Sequence, residues 1–254
     1  NHEKFHAGGP FSLETGEYIK KGAVTSTYNG ITSEYLTKKL KEDPLAVVIN
    51  AGTPGIVFNR KLREQLGSQF VDVGIAEEQA VTMTTGLAKN GAKPVWAVLS
   101  TFLQRTYDQL SHDMALNNQA GVVLVYSASI NSMNDESHLG FFDIPFISHI
   151  PNFVYLAPVN KEEHLAMLEW AINQNEYPVA IRVPVGSVVE TGKEDKTDYS
   201  ILNKNKVEKF GEQVAIFGVG NFYNLAEEVS EKLKSEHNIE ATLINPRFLT
   251  GLDK

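Results

Sequence analysis

Phe70-Val71-Asp72-Val73-Gly74-Ile75-Ala76-Glu77-Glu78-Gln79-Ala80 runs from a short apolar stretch through a glycine into a segment that opens with two acids. The first four residues suit a buried strand and Gly74 a tight turn. The helical pattern that follows, 77–89, stops at Asn90-Gly91, a left-handed C-terminal signal. A strand that turns directly into a helix is the repeating unit of a parallel sheet. Acids in a first helical turn also meet the positive end of the helix dipole, and that alone accounts for most such glutamates.

Working outward, the same alternation recurs. Buried parallel strands are expected at 45–50, 70–73, 94–99, 122–127, 153–157 and 179–183. Helices are expected at 33–41, ending before Pro44, and at 102–117, where Leu103, Tyr107, Leu110 and Met114 recur at helical spacing. A further helix is expected from Asn160 to about 174, with Asn160 as cap and Glu163 closing a capping box. The predicted fold class is α/β: a parallel sheet with helices on both faces over 23–190, followed by a partial second α/β domain. Residues 1–22 lack periodicity and read as a connector from something upstream. A polar linker, 191–206, leads to the start of a second unit at 207–254, with a strand at 213–217, a helix at 225–233 and a strand at 239–244. One such βαβ piece is too small to bury its own core, so the chain is expected to be part of a larger protein.

Composition narrows the classes of function. The chain has 254 residues, 42% of them hydrophobic, and a net charge of −8. That charge disfavours nucleic-acid binding, which calls for a basic stripe. No apolar run nears the roughly 18 residues of a membrane-spanning helix. With no cysteine there are no disulfides, thiolate metal sites or cysteine nucleophiles. A cytoplasmic location is expected.

Other blocks keep step with the opening stretch. Ser100-Thr101-Phe102-Leu103-Gln104-Arg105-Thr106-Tyr107-Asp108-Gln109, His112-Asp113 and Ser137-His138-Leu139-Gly140 follow it in order. Phe5-His6-Ala7-Gly8-Gly9-Pro10-Phe11 and Glu14-Thr15-Gly16-Glu17 precede it; Asn245-Pro246-Arg247-Phe248 and Leu252-Asp253 close the chain. Together they resemble 1-deoxy-D-xylulose-5-phosphate synthases, transketolase-like thiamine-diphosphate enzymes, over their middle domain and the start of their C-terminal domain.

The resemblance implies a transferase that decarboxylates pyruvate and condenses it with glyceraldehyde 3-phosphate, making a precursor of isoprenoids and thiamine. It implies thiamine diphosphate as cofactor, with Mg2+ ligands in an N-terminal diphosphate-binding domain outside this chain, and a homodimer. Its substrates would be a keto acid donor and an aldehyde or sugar-phosphate acceptor. Glu77 matches the family's cofactor-activating glutamate, a carboxyl that hydrogen-bonds the pyrimidine N1′. Phe102 matches an aromatic that stacks on that ring; on spacing alone it is equally a core residue of an amphipathic helix. His138, in the polar stretch 130–142 at a strand's carboxyl end, matches a substrate-facing histidine. Arg105 matches an arginine near the substrate, although on a helix it could pair with Asp108 or Asp113. His112 reads as structural or supporting.

The acceptor half departs from the pattern. Ala128 and Val185 stand where the family has arginines for the substrate phosphate. Asn134 replaces an aspartate, Leu99 a tyrosine, and Glu78 and Gln79 a Gln-His pair. Losing two charge-assisted contacts at about 1.5–3 kcal/mol each removes two to four powers of ten in substrate discrimination if they add. Two other readings remain: a transketolase-type enzyme or C-terminal subunit acting on a different sugar, and an inactive homologue. The last gives no reason to keep a carboxyl at Glu77 beside Phe102 and His138.

Overall fold

The structure, a computed structural model, describes residues 10–19, 26–130 and 136–253. Helix α1 (Tyr28–Glu42) starts earlier than the expected Ser33, because Thr27 Oγ1 accepts from Gly30 N at 3.1 Å and caps it. Strand β1 (Ala46–Asn50) follows, then α2 (Arg60–Leu66) and β2 (Phe70–Asp72). Apolar periodicity does not mark α2, a short helix capped by Asn59. Helix α3 (Glu77–Lys89) has the expected bounds and leads into β3 (Lys93–Leu99).

The single helix expected over 102–117 is three pieces instead: α4 (Ser100–Leu103), a 3-10 turn Gln104–Thr106 and a π-helical stretch Gln109–Ala115. Then come β4 (Val122–Tyr126), α5 (Asp143–Ser148), β5 (Val154–Leu156), α6 (Lys161–Asn173) and β6 (Val179–Arg182). Asn160 caps α6 by accepting from Glu163 N at 2.9 Å, but Glu163 does not close a capping box. Its carboxylate takes Val159 N at 3.2 Å and turns to the second unit.

The six strands form one parallel sheet in the order β2-β1-β3-β4-β6-β5. Alternate residues of each strand feed two cores, as the pleat requires. Val122, Leu124 and Tyr126 pack with Leu36, Leu40, Met167 and Leu168 on the α1 and α6 side. Val123 and Val125 pack with Ala80, Val81, Leu110 and Met114 on the other. The chain leaves β1 toward β2 on one side and leaves β3 toward β4 on the other. The crevice at the carboxyl ends of β1 and β3 is therefore the topological switch point, where open α/β sheets place their ligands.

A second, three-stranded sheet holds β7 (Lys206–Lys209), β8 (Val214–Phe217) and β9 (Ala241–Asn245), with α7 (Tyr223–His237) between β8 and β9. Strand β9 is central, parallel to β8 and antiparallel to β7, which begins on the last residue assigned to the linker. The two units are fastened to each other. Buried Glu163 receives Asn245 Nδ2 at 2.9 Å and Arg247 Nε at 3.3 Å. Beyond β9 the chain lies along β5: Ala157 N donates to Arg247 O at 2.8 Å and Leu249 N to Tyr155 O at 2.7 Å. That segment covers the open edge of the large sheet.

Candidate active site

The first turn of α3 is aimed by two glycine turns tied to one carboxylate. Asp72 Oδ1 accepts from Gly52 N at 2.9 Å, after β1, and from Gly74 N at 3.0 Å, after β2. Gly52 has φ +70° and lies so close to Ile75 that a Cβ would sit 2.7 Å from Ile75 Cγ1. Only glycine allows both the left-handed backbone and the contact. The result puts Glu77, 2% exposed, at the head of α3 beside the switch point.

Arg105 reaches that carboxylate. Its Nη1 lies 2.7 Å from Glu77 Oε1, and its guanidinium carbon stands 5.2 Å from the centre of the Phe102 ring. Of the two readings of Arg105, near the substrate or paired on the helix surface with Asp108 or Asp113, the surface pairs are not formed. Asp108 instead bonds His112 Nδ1 at 2.7 Å, and Asp113 accepts from Thr82 at 2.8 Å. His112 is thus a surface residue. The three-piece break after β3 carries Arg105 back toward α3.

Phe102 is half-buried, and its ring meets His138 edge to face at 5.4 Å between centroids. His138 Nδ1 lies 2.8 Å from Ser137 Oγ, and Thr101 Oγ1 donates to Ser137 O at 3.0 Å. Glu77, Arg105, Phe102 and His138, which came from three separate stretches of sequence, are consecutive neighbours. A buried carboxylate next to a partly exposed aromatic face fits a flat heteroaromatic ring that has a nitrogen to bond and a face to stack. Among the described residues no group of three or more His, Cys, Asp and Glu side chains is arranged to hold a metal.

The departures fall in different surroundings. Ala128 is 1% exposed and belongs to the core on the α3 side. Val185 borders a cavity of about 520 Å³ at the carboxyl ends of β4 and β6, shared with Thr27, Asn29, Ser127 and Ser187. The described residues lining that cavity carry no formal charge. Asn134 lies outside the described residues, as do the first residues of the expected connector.

Three residues near the site carried no signal of their own. Arg182 Nε donates to Asp143 Oδ2 at 2.8 Å, and the Tyr155 hydroxyl donates to the same oxygen. Burial, with Asp143 and its charge adding to it, holds the Tyr155 hydroxyl far above its ordinary pKa, so it stays a donor. They come from α5, β5 and β6, and only the fold brings them together.

The chain matches the family described as transketolase, pyrimidine binding domain, over residues 25–189. It is 37% identical to a 1-deoxy-D-xylulose-5-phosphate synthase of Heliobacterium modesticaldum across 100% of this chain and 39% of that protein. It is 36% identical to the enzyme of the same name from Clostridium perfringens, across 100% of this chain and 40% of that one. The chain thus spans about two fifths of the length of these relatives. Among solved structures, a transketolase mutant from Pichia stipitis superposes with TM-score 0.76 at 16% identity, covering 91% of this chain and 36% of that one. A chain of a split-gene transketolase in an inactive beta4 tetramer does so with TM-score 0.70 at 19% identity, covering 87% and 72%. Among the described residues no helix is long and apolar enough to cross a membrane. With the all-parallel sheet and Glu77 at its switch point, the match over residues 25–189 gives the conclusion that the chain belongs to the transketolase pyrimidine-binding domain family.

Proposed function

We propose that the protein containing this chain is a cytoplasmic, homodimeric, thiamine-diphosphate-dependent transferase of the 1-deoxy-D-xylulose-5-phosphate synthase type, with an altered acceptor site. The observation that carries the reading is Glu77, a buried carboxylate with Arg105 on one oxygen and the Phe102 ring close by. In this reading Glu77 bonds the pyrimidine N1′, Phe102 stacks on the ring and Arg105 orients the carboxylate. His138, against Phe102, faces the acceptor and moves a proton at its oxygen. Thiamine diphosphate, when bound, supplies the electron sink for breaking and making carbon–carbon bonds. Its diphosphate and Mg2+ would be held by an N-terminal domain outside this chain.

The acceptor reading rests on the uncharged cavity beside Val185. A phosphate there would find hydroxyl and amide groups where two guanidinium groups would each add about 1.5–3 kcal/mol. The full-length protein, assayed with pyruvate and glyceraldehyde 3-phosphate, is expected to show a kcat/KM far below that of the Heliobacterium relative measured alongside. Equal values would sink the altered acceptor site. Glu77→Ala is expected to abolish turnover with the thermal transition preserved, and unchanged activity would overturn the role given to Glu77.

A second arrangement puts the diphosphate-binding half on a separate polypeptide; a split-gene transketolase chain is among the solved structures that share the fold. In either arrangement the chain alone turns over no substrate and binds thiamine diphosphate weakly. Calorimetric titration giving sub-micromolar affinity would contradict that.

A further inference from the structure

The short strap 138–143 carries His138 and is anchored by a buried polar cluster. Arg182, the last residue of β6, approaches Asp143 with Nε at 2.8 Å from Oδ2 and Nη2 at 3.4 Å from Oδ1. The Tyr155 hydroxyl, from the neighbouring strand β5, donates to the same carboxylate. The Asp143 side chain is 0% exposed and that of Arg182 10%. Arg182 Nη2 also reaches Gly140 O at 3.5 Å.

Gly140 is pressed onto the chain beyond β4: a Cβ there would lie 1.8 Å from Ser127 O and 3.1 Å from Ser129 N. The strap is therefore held at Gly140 by Arg182 and by contact with Ser127, and at Asp143 by Arg182 and Tyr155. His138 is two residues before the first anchor. On the other side it is held by the Phe102 ring and, through Ser137, by Thr101.

A buried ion pair is weak support for stability, because desolvation of both partners offsets their attraction. What two-point contact from a rigid guanidinium does supply is orientation. We propose that Arg182, Asp143 and Tyr155 are positioning residues that set the reach of the His138 imidazole into the site. The proposal rests on the reading of His138 as acceptor-facing, and the experiment separates the two.

The experiment is a double-mutant cycle in the full-length protein: Arg182→Leu, His138→Ala and both together, with kcat/KM measured for pyruvate and an aldehyde acceptor. Arg182→Leu is expected to lower kcat/KM about ten- to hundredfold, the scale of a misplacement near 1 Å. It is expected to leave thiamine diphosphate affinity unchanged, since Glu77 and Phe102 lie on other elements. In the His138→Ala background the same substitution is expected to add nothing, because the group it positions is gone. Losses that multiply, or a parallel fall in cofactor affinity, overturn the positioning role. An unchanged kcat/KM for His138→Ala alone overturns the reading of His138 instead.

Arg182→Leu leaves a buried carboxylate without its cation and could unfold the protein. Tyr155→Phe is therefore carried through the same cycle: it removes one donor and keeps the ring. It is expected to give a smaller loss with the same dependence on His138; a full-sized loss independent of His138 overturns the proposal.

Discussion

His164 is fully buried, with Nε2 2.7 Å from Thr32 Oγ1 and the Tyr28 ring edge-on at 5.7 Å. Thr32 gives its own hydrogen to Tyr28 O at 2.7 Å, so Nε2 must be the donor to Thr32. Nδ1 is left without a hydrogen-bond partner among the described residues, and burial pushes the imidazole down to about 3. Unfolded, the same ring titrates near 6.5. Between those values the unfolded chain takes up a proton that the folded one refuses. Stability through this group is therefore constant above pH about 6.5 and falls as pH drops toward 3, by about 1.4 kcal/mol per unit. Urea unfolding at pH 7 and pH 5 checks this: the loss between them should shrink by about 2 kcal/mol in His164→Gln, counted over the 1.5 units below 6.5. An equal loss in both proteins would place the acid sensitivity elsewhere.

Helix ends are where reading by element and the observed structure part. Ser33 is the expected start of α1, yet the structure places it inside the helix, with its carbonyl accepting from Thr37 Oγ1 at 2.6 Å. Thr27→Ala is accordingly expected to cost about 1 kcal/mol of stability, as the loss of a cap does. Ser33→Ala is expected to cost nothing or gain a few tenths from alanine's higher helix propensity. Chemical unfolding of the two variants gives the order, and the reverse order would put the helix start at Ser33. Apolar spacing gives no sign of the break over 102–117: Leu103, Leu110 and Met114 are buried as one continuous helix would have them, and only Tyr107, 46% exposed, leaves the expected stripe. The bond from Leu116 N to Ser111 O at 2.9 Å, five residues back, marks the π-helical stretch, which packs against α3.

Across the whole molecule, the two units are joined by a buried ion pair and a strand-like seam. Arg247, 8% exposed and with φ +57°, meets Glu163 while its backbone carbonyl pairs with the edge at Ala157. Removing one member of a buried pair leaves the other charge without compensation. Arg247→Met is expected to cost about 3 kcal/mol and to split unfolding into two transitions, one for each sheet. Scanning calorimetry reads both effects; a single transition at the original temperature would mean that the seam holds without the ion pair.

Alternating strands and helices, and with them the parallel sheet, were legible along the chain because buried β-branched runs and helical stop signals are local. Ordered blocks of sequence also pointed to Glu77, Phe102, Arg105 and His138. The meeting of Glu77 with Arg105 was not legible, because it needs the break after β3 and the turns tied by Asp72, both fixed by packing between distant segments. Nor was the Asp143–Arg182–Tyr155 cluster, whose members lie on separate elements and carry no spacing that sets them apart. The opening stretch alone determined a strand, a turn and a helix with an acid at its head. Only the tertiary structure decided that this acid is buried, because burial depends on which neighbours the sheet order brings to the carboxyl ends of β1 and β3.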